Sequence, residues 1–186
     1  NWWWHSEYDT LDTADADLLA QDTKIYLATI LRIANSAVLP YRFEPVADEL
    51  LAAVGAYQVT VGDRFDMSSV AKRLQALKAL GGRLDGALAG GSARDARGVN
   101  EAIMRAQRSL IPINYTAIGE FDHDPASFHP VLPSLAEAQK LVRLDSQSDA
   151  FRFLQTKLIR SRNKVNAHLD RASEELERAL DLATVE

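Results

Sequence analysis

Apolar residues along most of the chain recur three, four or seven positions apart, which is the spacing of helices that turn one face inward. Thr13 or Asp15 can cap a first helix reaching about Ser36. In it Leu18, Asp22, Ile25, Thr29 and Ile33 share one stripe, while Leu19, Tyr26, Leu27, Ile30 and Leu31 spread apolar surface nearly all round. Such a helix is expected to be buried on several sides, as the central rod of a bundle would be. Pro40 ends it, and Pro45 suits the first turn of a second helix with Val46, Leu50, Val54 and Tyr57 facing inward. Gly62 and Asp63 break the pattern before Asp66 or Ser68 starts a third, with Met67, Val70, Leu74, Leu77, Leu84 and Leu88 in its seam. Gly81, Gly82 and Gly86 interrupt that seam, and each disfavours a helix interior by roughly 1 kcal/mol against alanine. A kink or a close helix crossing is expected there.

Ser92 is the expected cap of a fourth helix carrying Val99, Ile103, Ala106 and Leu110, whose arginines alternate with Asp95 and Glu101 as on a solvated face. Periodicity then disappears over 111–133, where Pro112, Pro125, Pro130 and Pro133 punctuate a long segment holding Tyr115, Phe121, His123, Asp124, Phe128 and His129. Loops of that length inside a domain are uncommon and often functional. A short helix over 134–144 comes next. Ser148 then caps the longest helix, expected to reach Ala183, with Phe151, Leu154, Leu158, Val165, Leu169, Ala172, Leu176 and Leu180 in one seam and His168 beside it. The predicted fold is all-α: a helical bundle of four main helices plus one or two short ones, with a long irregular loop at 111–133.

Composition narrows the chemistry. The 186 residues are 47% hydrophobic and 25% charged, ordinary for a globular domain, and no run approaches the roughly twenty apolar residues of a membrane span. The net charge of -5, with dispersed Lys and Arg, offers no basic face to collect phosphates, so nucleic acid is not an expected partner. The absence of cysteine removes disulfides, thiolate catalysis and cysteine zinc sites together. The chain opens at Asn1 without a start methionine and is expected to be a segment of a longer protein, any targeting sequence lying upstream. The sequence assigns no compartment.

The opening stretch differs from everything after it. Three tryptophans precede His5, Ser6, Asp9 and Thr10, so that one imidazole leaves an aromatic cluster just before short polar residues able to end a strand and cap the next helix. The run Trp4-His5-Ser6 with Asp9-Thr10 resembles the last metal-ligand motif of the co-catalytic zinc peptidases related to glutamate carboxypeptidase and the transferrin receptor. The run from Ala34 through Asn35, Ser36, Val38, Leu39 and Pro40 resembles the next helix exit in the same branch. Only about the first forty residues carry recognisable motif; the rest agrees in arrangement.

The resemblance implies that 1–12 is the end of a peptidase domain and 13–186 a C-terminal helical dimerisation domain that also shapes the substrate pocket. It implies one zinc ligand, His5, of an otherwise absent dinuclear site, so zinc belongs to the parent protein and none is expected in this segment. Neither peptidase activity nor any catalytic residue is expected here, because a co-catalytic site needs a bridging carboxylate, further ligands and a glutamate base. Some relatives have lost the activity altogether. Trp4, Tyr115 and His123 are the substrate-pocket candidates, although the Lys-Tyr pair that glutamate carboxypeptidase uses in the corresponding loop has no counterpart. The implied partners are the upstream peptidase domain and a second copy of the chain, whose first helix would also pack on the peptidase domain. Two other readings are open. One is a free-standing helical interaction module anchored by Trp2 to Trp4; the other, a small metal-dependent hydrolase, requires His5, His123 and His129 to converge.

Overall fold

Six α-helices and three short 3-10 segments make up the computed structural model, which describes residues 3–116 and 129–184. Helix α1 (Ala16–Ala34) is capped by Asp15, whose carboxylate accepts from the Asp17 and Leu18 amides at 2.9 and 3.0 Å. Helices α2 (Glu44–Val61) and α3 (Ser68–Ala87) come next, with Pro45 in the first turn of α2. Helix α4 (Ala96–Asn114), the single turn α5 (Pro133–Ala136), a 3-10 helix (Glu137–Arg143) and the 35-residue α6 (Asp149–Ala183) complete the order. No strand occurs among the described residues. None of the helices there is long and apolar enough to cross a membrane.

The bundle is built on α6. Its stripe of Phe151, Leu158, Val165, Leu169, Ala172, Leu176 and Leu180 is buried against α3 and α4, and α2 packs on α3. The 3-10 helix crosses between α2 and α6, held by the Arg64 guanidinium, which donates to the carbonyls of Leu141 and Leu144 at 3.0 and 2.8 Å. His168 is also buried on α6, its Nδ1 2.9 Å from the Ser109 carbonyl and therefore the protonated nitrogen.

Three expectations change in contact with the fold. Asp95, not Ser92, caps α4, accepting from the Gly98 amide, because the preceding segment is engaged elsewhere. The amides of Arg94 and Asp95 donate to the carbonyls of Ala183 and Leu182, and the Arg94 guanidinium donates to that of Asp181. Residues 94 and 95 thus satisfy the orphan acceptors at the end of α6. Helix α4 also runs through Pro112 to Asn114, since Ile113 continues the buried stripe of Val99, Ile103, Ala106 and Leu110 and its packing offsets the one hydrogen bond that proline forgoes. Residues 111–114 therefore belong to α4 and Pro133 opens α5, while 117–128, the middle of the segment expected as a loop, lie outside the described residues. Just before α5 the fully buried Leu132 sits in the left-handed region (φ 50°), its N–H donating to Asn114 Oδ1 at 3.3 Å, while the Tyr57 hydroxyl donates to the Val131 carbonyl at 2.5 Å. Burial pushes the Tyr57 phenol above its ordinary pKa. The third difference is α1, none of whose residues is buried.

Gly81 decides between a kink and a close crossing. Helix α3 continues without a break, and a Cβ at Gly81 would stand 2.9 Å from the Glu44 amide nitrogen and 3.0 Å from Phe43 Cβ. The N-terminus of α2 therefore crosses α3 over bare backbone. Gly81→Ala is expected to destabilise the bundle by roughly 1–3 kcal/mol in urea unfolding. Gly86→Ala, which meets open space on the same helix, should be neutral or stabilising by up to about 1 kcal/mol.

Candidate functional site

Among the described residues, helix α1 carries seven of the large apolar side chains left exposed. Leu18, Leu19, Ile25, Tyr26, Leu27, Ile30 and Leu31 are all between 49% and 69% exposed. At roughly 100° per residue, Leu19, Tyr26, Ile30, Leu27 and Leu31, joined by the half-buried Ile33, fill an apolar arc of about 160°. Leu18 and Ile25 form a second, narrower stripe on the other side. Such a surface amounts to several hundred square ångströms, at or beyond the largest patch a typical monomer leaves in water. It is also broader than the seam that one partner helix would cover.

The base of α1 is fixed to the bundle by a short strap. The Asn100 side chain makes two backbone bonds across it, accepting from the Leu39 amide at 2.8 Å and donating to the Ala37 carbonyl at 3.0 Å. Val38 and Phe43 are buried on either side of that clamp. Arg42 donates to Asp85 at 2.8 Å and lies 3.9 Å from Glu44. The hydrogen bond to Asp85 and that carboxylate's charge hold the Arg42 guanidinium above its ordinary pKa. A hollow of about 660 Å³ lies along the strap, bordered by Asp85 and Leu88 of the bundle. A second cleft, of about 290 Å³, opens between the start of α2 and the end of α4, where Tyr41, Val46, Leu50, Leu110, Ile111 and Tyr115 supply its apolar and aromatic wall. Neither hollow is lined by a residue of α1.

The residues singled out in the opening motif behave differently. Trp4 is 65% exposed, and its ring lies against that of His5 with centroids 4.2 Å apart, so neither folds onto the bundle. His5 adopts a left-handed backbone (φ 60°) in a run of turns, with the Ser6 hydroxyl donating to the Trp3 carbonyl. The Thr10 hydroxyl donates to Asp12 and holds its carboxyl below the ordinary value. Among the described residues no three His, Cys, Asp or Glu side chains gather as a metal site would require. Tyr115 is exposed at the end of α4, in the wall of the second cleft, and no hydrogen bond or ring contact among the described residues joins it to Trp4 or His5. Trp2 and His123 lie outside the described residues. The strap clamp of Asn100 was invisible to sequence reasoning, because an asparagine on a helix flank carries no signal of a partner about sixty positions away.

Because α1 lies outside the core, Tyr26→Asp and Ile30→Asp should leave the unfolding free energy of the bundle in urea titration within about 0.5 kcal/mol of the parent. Asn100→Ala, which strips two backbone groups of their partner, is expected to destabilise it by about 1–2 kcal/mol in the same measurement.

Comparison with family models, curated proteins and solved structures found no match.

Proposed function

We propose that this chain is a helical protein-interaction module that works by assembly, with the bundle of α2, α3, α4 and α6 as scaffold and α1 as the element that enters a partner. One observation carries the reading: a 19-residue helix with no buried residue presents seven large apolar side chains from a clamped base. An apolar arc of that width calls for a broad surface, such as the face of a folded domain.

The opening motif suggests which domain. Trp4-His5-Ser6 with Asp9-Thr10 resembles the end of a co-catalytic zinc peptidase, which makes a peptidase domain of the same polypeptide the natural cover for α1 and the bundle its C-terminal dimerisation and pocket-shaping domain. Two-fold pairing with a second copy belongs to the same reading. His5 would then be one zinc ligand among several supplied by that domain, and Tyr115, Trp4 and His123 would border its substrate pocket. The chain by itself would be without catalytic function and would bind zinc negligibly.

Two measurements test this. The purified chain, given zinc, should hydrolyse neither aminoacyl nor acidic dipeptide substrates; turnover would overturn the assignment of chemistry to another domain. The coding sequence ahead of Asn1 should supply His-x-Asp, Asp, Glu-Glu and Asp or Glu ligand positions. A protein expressed with that sequence should protect the α1 amides from hydrogen exchange as well as those of α6, and Tyr26→Asp should remove that protection. A preceding sequence without those ligands would overturn the peptidase reading and leave the interaction module. Unprotected α1 amides in the longer protein would overturn the docking role itself.

A further inference from the structure

Helix α6 carries its charge in two blocks. Residues 149–164 hold five basic side chains against one acidic, and residues 165–183 hold five acidic against two basic. This polarity opposes the one that stabilises a helix, in which acidic residues gather toward the N-terminus and basic ones toward the C-terminus. Helix α1 has the favourable order, with Asp17 and Asp22 before Lys24 and Arg32. In α6 only Asp149 of the first turn complements the helix dipole, and the last turn has no basic residue of its own, its cation being supplied by Arg94. The stability of the helix itself does not explain the arrangement.

On the solvent side of α6 the blocks are symmetric about one small residue. Lys157, Arg160 and Lys164 precede the exposed Ala167 by ten, seven and three positions, and Asp170, Glu174 and Glu177 come after it by three, seven and ten. All six are exposed, the basic three on one flank of the Ala167 line and the acidic three on the other. Lys157 already meets Glu137 at 2.5 Å, and Asp170 meets Arg73 at 2.8 Å, with both triad side chains half exposed or more. Arg160, Lys164, Glu174 and Glu177 form no ion pair among the described residues.

We infer that this face of α6 is a self-complementary seam through which two copies of the chain pair across a two-fold axis at Ala167. Two α6 helices laid antiparallel and inclined by about 20°, a preferred helix-packing class, bring the basic triad of each copy toward the acidic triad of the other. Ala167 lets the backbones approach at the crossing point. The occupant is a second copy because the basic triad of this face is answered by its own acidic triad, the exposed Arg171 being the one cation within the span of the acidic triad that falls outside the match. The inference rests on the reading of the chain as a self-associating module and names the surface it uses, separate from α1.

The test uses the full chain in sedimentation velocity at tens of micromolar, with circular dichroism confirming unchanged helix content. Arg160→Glu and Glu174→Arg should each weaken the dimer about tenfold or more, and raised salt should do likewise. The double variant R160E/E174R, which exchanges the charges and restores complementarity, should recover most of the lost affinity. Because the chain has no cysteine, Ala167→Cys should yield a disulfide-linked dimer on mild oxidation, whereas Gln139→Cys on the exposed 3-10 helix should not. A dimer that ignores both single charge reversals, fails to recover in the double variant, or does not cross-link through position 167 overturns the α6 seam while self-association stands. A strictly monomeric chain overturns both.

Discussion

Burial of one stripe along α6 is the constraint on which the bundle depends. Leu158, Leu169 and Leu176 are fully enclosed, and Val165 nearly so, in a helix whose length is about 50 Å at 1.5 Å per residue. An amphipathic helix draws most of its stability from such packing, and here α3 and α4 provide it on two sides. The smaller features derive from that arrangement. Arg94 and Asp95 close the end of α6, which moves the start of α4; Arg64 ties the 3-10 helix across α2 and α6; Gly81 lets α2 cross α3 closely enough for Phe43 to be buried.

Helix α1 has the same kind of side chains and none of that cover. Two features bear on the proposed docking role. Its apolar arc is contiguous, and the strap that follows it is held to the bundle by Asn100 and by the Arg42–Asp85 pair. An apolar helix that is already formed loses less conformational entropy on association with a preformed surface. The outer side of α6 offers the complementary physics. It is polar throughout its middle, so pairing there would depend on charge register and salt, while pairing at α1 would depend on apolar area.

The sequence revealed a good part of this architecture. The periodicities of α2, α3 and α6 identified their inward residues, Ser148 marked the start of α6, and the solvated arginine face of α4 is occupied by pairs such as Arg97–Glu101 and Arg105–Glu101. These signals are local, depending on residues within a turn or two of each other. The misplaced start of α4, the helix through Pro112 and the left-handed Leu132 were not legible, because each is decided by a group distant in sequence: the end of α6, the core beneath Ile113, and the side chain of Asn114.

What the sequence determined by itself was the all-α class, the order of the helices and which stripe of each is apolar, since helical period and capping are written in neighbouring residues. Only the tertiary structure decided which apolar stripes become core. Leu74 on α3 and Leu27 on α1 look alike in sequence, yet one is fully buried and the other exposed. Burial is a property of what lies opposite a side chain, and within this chain nothing described lies opposite α1.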